Sequence, residues 1–198
     1  MKTLCLDVST SVVGWSLTDG TGDAMVLVDF GAVDIRTSKK LETLFQKFEQ
    51  VNNFLGTLSG IDRIVIEQAN VSFRSGGSSA QVLAILQKFN GMVSVACYQL
   101  FGKEPEYIMA TSARKNAGIH LEKGGDNKEQ VFQWLYGNCA SFYQRVEIAG
   151  RTPKGNPKPI FYDMCDAIVL ALGTKNGQKA KPAKQSRKRK EKSPKNPA

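Results

Sequence analysis

The order of apolar and polar positions divides the first 174 residues into strands and helices. Thr3–Val8 (TLCLDV) is a short apolar run that ends on a carboxylate, the pattern of a central strand. Residues 12–17 form a second run. Asp19-Gly20-Thr21-Gly22-Asp23 reads as a turn into a third run over 25–35, giving an antiparallel three-strand meander. Leu41, Leu44, Phe45, Phe48, Val51, Leu55 and Leu58 then recur at steps of three and four, predicting a helix closed by Gly60. Arg63–Glu67 (RIVIE) is again a buried strand ending on a carboxylate. After a Gly/Ser-rich segment, a long helix is predicted over 79–101, carrying Val82, Ile85, Leu86, Phe89, Val93 and Cys97, and residues 105–109 form a fifth strand. Short helices follow at 112–116 and from Asp126, where D-x-x-E has the form of a capping box. A proline- and lysine-rich loop over 151–159 leads to a last helix over 161–172, with Gly173 as its stop. The order β-β-β-α-β-α-β-α-α-α predicts an α/β domain: a five-stranded mixed sheet, an antiparallel meander plus two parallel strands, with helices on both faces.

Composition changes this picture at one end only. Of the 27 Lys and Arg, ten lie from Lys175 onward against one acid, Glu191, while the first 174 residues carry 17 of each sign. The net charge of +9 therefore belongs to residues 175–198, which contain no apolar side chain larger than alanine. Such a segment cannot bury enough surface to offset its ordering entropy, so we expect a folded domain over 1–174 and a disordered basic tail over 175–198. A polybasic tail suits non-specific contact with DNA phosphates, and SRKRK has equally the composition of a nuclear import signal in a eukaryotic host. No stretch reads as the roughly 20 apolar residues of a membrane span, and the N-terminus meets a charge too early for a secretory leader. An intracellular protein without a membrane partner is expected. Cys5, Cys97, Cys139 and Cys165 form no C-x-x-C pair, and His120 is the sole histidine, so the cysteines read as reduced thiols and a zinc site is not expected.

The chemistry lies in carboxylates placed among apolar neighbours. Asp7 sits beside Leu4, Leu6 and Val8, Glu67 ends Ile64-Val65-Ile66, and Asp163 and Asp166 open the apolar run of the last helix. A carboxylate in such company is costly unless it is paired or holds a cation, and D-x-x-D puts both acids on one helix face. An all-oxygen set suits Mg²⁺ or Mn²⁺. Each acid alone has a plainer role: Asp163 as a first-turn helix acid, Asp7 as a turn acceptor, Glu67 as an arginine partner. Their joint occurrence carries the expectation of one site.

These same segments (LCLDVSTSVVGWSL at 4–17, IVIEQ at 64–68 and YDMCDAIVLAL at 162–172) resemble the RuvC family of Holliday-junction resolvases, in particular the divergent branch of phages and large DNA viruses. The resemblance covers about residues 1–174. It implies a ribonuclease H-like fold and a homodimer that cleaves four-way and other branched DNA by two-metal phosphodiester hydrolysis, with two Mg²⁺ ions (or Mn²⁺) per site held by Asp7, Glu67, Asp163 and Asp166. It also implies phosphate contacts from Arg114, Lys115 and Lys128. In bacterial members an aromatic wedge follows the I-E-Q segment; here Asn70 stands nearest that place and Phe73 lies three residues on, where it either wedges into DNA or packs under its own loop. Arg74 at the Gly/Ser-rich segment, and Lys154 and Lys158 before the last helix, are further candidates for DNA contact. Two rivals stay open: a non-catalytic nucleic-acid-binding relative, and a fragment of an actin- or sugar-kinase-like phosphotransferase, whose phosphate loop D-x-S-T-S-x-x-G-W resembles.

Overall fold

The structure, a computed structural model, describes residues 1–36, 43–69 and 79–176. The strands are β1 (Thr3–Val8), β2 (Val12–Asp19), β3 (Val26–Asp34), β4 (Arg63–Glu67) and β5 (Glu106–Ile108). They form one sheet in the order β3-β2-β1-β4-β5, with β1–β2 and β2–β3 antiparallel and β1–β4 and β4–β5 parallel. The expected meander and parallel pair are both present. The helices are α1 (Leu44–Gly56), α2 (Ala80–Phe101), α3 (Ala110–Asn116), α4 (Asn127–Asn138), α5 (Ala140–Ala149) and α6 (Ile160–Asn176).

The pleat of β1 and β4 divides the core. Leu4, Leu6, Ile64 and Ile66 point to one face, where Val51 and Leu55 of α1 and Phe89, Val93 and Cys97 of α2 cover them. Cys5 and Val65 point to the other face, under Cys165, Ile168 and Val169 of α6 and Phe132 and Phe142 of α4 and α5. Cys5, Cys97 and Cys165 are free and buried, and burial raises all three thiols above their ordinary range, so they behave as packing groups.

Three local expectations are corrected. Helix α5 was not anticipated: Phe142 and Val146 are buried four residues apart on it, but only two apolar positions mark its inner face, and the chain breaks at Cys139 between α4 and α5. Gly173 does not stop the last helix, which continues to Asn176. A Cβ at Gly173 would lie 2.7 Å from the carbonyl oxygen of Ala113, so this glycine lets α3 and α6 touch. Helix α2, at 22 residues, has the length and mean hydropathy of a bilayer-crossing helix, contrary to the expectation that no segment does. Its Phe89, Asn90, Val93, Ser94, Ala96 and Cys97 are buried in the domain.

Candidate active site

The same period of two that sorts the core places the first two acids. Asp7 follows Cys5, and Glu67 follows Val65, each two residues on, so both carboxylates leave the sheet on the α6 face. Leu6 pairs with Ile66 in the parallel register, which puts Asp7 and Glu67 side by side at the carboxyl ends of neighbouring central strands. In open α/β sheets that edge is where ligands bind.

Helix α6 delivers the other pair. Asp7 lies opposite Gly14 in the β1–β2 register, and a Cβ on Gly14 would stand 2.1 Å from the carbonyl oxygen of Asp163. Only a residue without a side chain lets α6 settle this closely on β2. One turn further on, the buried Ser16 hydroxyl donates to the Ala167 carbonyl at 2.7 Å and fixes the helix along the sheet. The start of α6, with Asp163 and Asp166, is thereby seated at the Asp7 end of the sheet.

The other three acids each act electrostatically on Asp7. Burial, then repulsion from Glu67, Asp166 and Asp163, holds the Asp7 carboxyl well above the usual carboxylate range. Burial and the Asp166 charge push Glu67 from its ordinary 4.5 up to about 7. Asp163 and Asp166 are raised as well, again chiefly by burial. Among the described residues no ion pair reaches Asp7, Glu67 or Asp163. Asp166 meets Arg114 at 3.4 Å, with side chains 14% and 19% exposed, and the buried Arg114 Nε has no partner. One long contact and an orphaned donor leave this guanidinium far from a saturated ion pair.

A divalent cation fits this set by donor type. Four oxygen-only carboxylates, raised chiefly by burial and only partly offset by Lys128, Arg114 and Arg36, favour a hard cation. Among the described residues, no three acidic, histidine or cysteine side chains already close a ligand shell.

The expected DNA contacts divide into groups. Lys128 is exposed in the first turn of α4, and its charge lowers all four acids. Arg114 and the exposed Lys115 line a cleft of about 230 Å³ with His120 and Asn127. Lys154 and Lys158 are exposed beside the start of α6 but do not act on the acids, and the Lys158 ammonium donates to the Ala149 carbonyl at 2.6 Å, at the end of α5. Phe73 and Arg74 lie outside the described residues. Three further positions belong to the site. Gly14 sets the approach of α6, and Arg36, hydrogen-bonded to Asp34 at the end of β3, lowers Asp163. Asn90 is buried and donates from Nδ2 to the Glu67 carbonyl at 3.2 Å, holding the end of β4. Gly14 stands inside a quoted motif; Arg36 and Asn90 carry no local signal, because their roles come from contacts distant in sequence.

No protein-family model matches the chain, and no curated protein sequence does. Solved structures do. Thermus thermophilus RuvC, in complex with Holliday junction substrate, superposes with a TM-score of 0.57 at 12% identity, covering 87% of this chain and 91% of that one. The yeast mitochondrial Holliday junction resolvase Ydc2 gives 0.58 at 14% identity, over 88% of this chain and 77% of that one. Fowlpox virus resolvase, with substrate Holliday junction DNA, gives 0.51 at 10% identity, over 86% and 95%. The chain thus has the ribonuclease H-like fold of the RuvC-type resolvases.

Proposed function

We propose that this protein is a Mg²⁺-dependent, structure-specific endonuclease that cuts branched DNA, with the four-way junction as preferred substrate. The observation that carries the proposal is the convergence of Asp7, Glu67, Asp163 and Asp166, from two strand ends and one helix, on a single edge of the sheet. The likeness to resolvases whose structures contain Holliday junction substrate supports the same reading. The phosphotransferase rival has no such support.

Asp7, Glu67, Asp163 and Asp166 would hold the cations. Bound there, divalent ions would neutralise charge on the transferring phosphoryl group and make water a usable nucleophile near neutral pH. The protein's part is positioning, since phosphoryl transfer needs little covalent help. Lys128 offsets part of the negative charge of the cluster, and Arg114 and Lys115 seat neighbouring phosphates in the cleft between α3 and α4. Lys154 adds a contact on the flank, and residues 175–198 act as a sequence-independent polyanion tether.

A four-way junction presents two symmetric strands, which a two-fold dimer matches. Helix α2 supports a homodimer: Val95 and Tyr98, both 55% exposed, lie on its side turned from the sheet, and Val82 and Ile85 are exposed in its first turns. Cleavage mapping with Mg²⁺ on four-way, three-way, flap and linear DNA tests the proposal. Cuts near the branch point, lost in EDTA, are expected; ATP turnover, or binding without cleavage in Mg²⁺ and Mn²⁺, would refute it.

A further inference from the structure

One hollow of the molecule lies outside the acid cluster yet borders it. A cavity of about 520 Å³ opens before α6, walled by Pro153, Pro157, Pro159 and Tyr162, with Lys154 and Asn156 contributing its polar groups and no acid among its lining. The loop that builds it is held by its own hydrogen bonds. Thr152 N donates to the Asn156 carbonyl at 2.9 Å, Gly155 N to the Thr152 carbonyl at 2.8 Å, and Asn156 N to Thr152 Oγ1 at 3.2 Å. Tyr162 is fixed as well: its hydroxyl donates to Glu129 at 2.6 Å, and its ring packs on Phe132 with centroids 5.6 Å apart.

We propose that this hollow is a subsite for one unpaired nucleotide of the DNA substrate, its base against Tyr162 and the proline rings and its phosphate toward Lys154. The inference rests on the nuclease reading. A nucleobase has apolar faces and a polar edge, and the hollow offers an aromatic and proline-lined wall beside an amide that can both donate and accept. The lining carries one ammonium, and the carboxylate that reaches it, Glu129, accepts from the Tyr162 hydroxyl. Because the Tyr162 ring is already immobilised, stacking costs little side-chain entropy. Tyr162 directly precedes Asp163 and lies one helical turn before Asp166, on the same side of α6, so a strand whose phosphate sits at the acids passes the hollow. A paired base cannot enter without leaving its stack, whereas a base at a branch point leaves at small cost. The subsite would thus give a preference for branched over fully paired DNA.

The test is a single-position abasic scan of a four-way junction, read by single-turnover cleavage in Mg²⁺. For the wild type, an abasic site at one or two positions beside the cut should slow cleavage about tenfold, the scale of one lost base–aromatic stack. Asn156→Trp, at an exposed position, fills the hollow; it should slow cleavage of the intact junction by a similar factor and remove the abasic penalty at those positions. An independent readout is the emission of 2-aminopurine, which should change on binding wild type in Ca²⁺ at those positions and no others. Even abasic penalties along the strand, or Asn156→Trp cutting the intact junction at the wild-type rate, would overturn the subsite alone. A wild type that cleaves no DNA would overturn the nuclease reading and the subsite with it.

Discussion

Neutralising Asp7 should stabilise the metal-free protein while destroying its function. Asp7 is enclosed at the end of β1 with three other acids facing it and, among the described residues, no ion-pair partner. The scale of such a burden follows from Glu67, whose carboxyl rises from 4.5 to about 7. At 1.36 kcal/mol per pH unit this is roughly 3 kcal/mol of cost in keeping one such acid ionised. Because the folded state raises these carboxyls, their favourable share of stability is complete below the ordinary carboxylate range and is lost as pH rises through the folded values, near 7 for Glu67. At pH 8 in EDTA, wild type bears this cost at Glu67, and Glu67→Gln, nearly the same size, removes it; Asp7→Asn relieves the burden on Asp7 in the same direction. For a chain of this length about 3 kcal/mol corresponds to roughly 6–12 °C in Tm. Thermal unfolding should therefore show Glu67→Gln melting that much higher than wild type in EDTA at pH 8, and Asp7→Asn also melting higher, with both gaps closing toward pH 5. Saturating Mg²⁺ should raise wild type by a similar amount and either variant much less, since a ligand at 100 times its Kd contributes about 2.7 kcal/mol. A variant less stable than wild type in EDTA at pH 8, or one gaining as much from Mg²⁺, would refute the reasoning.

Other consequences are open to direct measurement. Glu67→Gln and Asp166→Asn should each lower single-turnover cleavage by at least roughly a hundredfold while leaving junction affinity in Ca²⁺ near wild type by gel shift. The cleavage rate at fixed, subsaturating Mg²⁺ should rise with pH toward neutrality, because the raised carboxyls must ionise to hold metal, and a flat profile from pH 5 to 8 would contradict the shared site. Gly14→Ala forces β2 and α6 apart at the Asp163 carbonyl and should cost about 1–3 kcal/mol by chemical denaturation, with a further loss of cleavage because Asp163 moves. Arg114→Met removes the one cation that, among the described residues, touches Asp166; it should lower the metal-free Tm at pH 8 and weaken junction binding in gel shift.

Much of the fold was legible because each strand carries its own signal. The alternation Leu4-Cys5-Leu6-Asp7 assigns three residues to the two core faces and one acid to the α6 side, and Arg63–Glu67 repeats it. The capping residues Ser79 and Asp126 mark the starts of α2 and α4, both accepting hydrogen bonds from the first-turn backbone. Helix α5 stayed hidden because only Phe142 and Val146 mark its inner face, and the glycine nearest the break, Gly137, lies inside α4. Gly173 misled for a related reason: a glycine near a helix end and a glycine at a helix crossing look alike until the crossing partner, Ala113, is known. In the candidate site, the acids were visible through the cost of placing them among apolar neighbours. The inward turn of Arg114 onto Asp166 was not, since it depends on how α3 packs against α6.

The central claim is that the four carboxylates jointly hold divalent cations. Anomalous diffraction from crystals soaked in Mn²⁺ tests it most directly. Peaks between Asp7 and the side chains of Glu67, Asp163 and Asp166, absent in Asp7→Asn crystals, are the predicted result. Ordered Mn²⁺ found only elsewhere, with the Arg114 guanidinium still seated on Asp166, would contradict it.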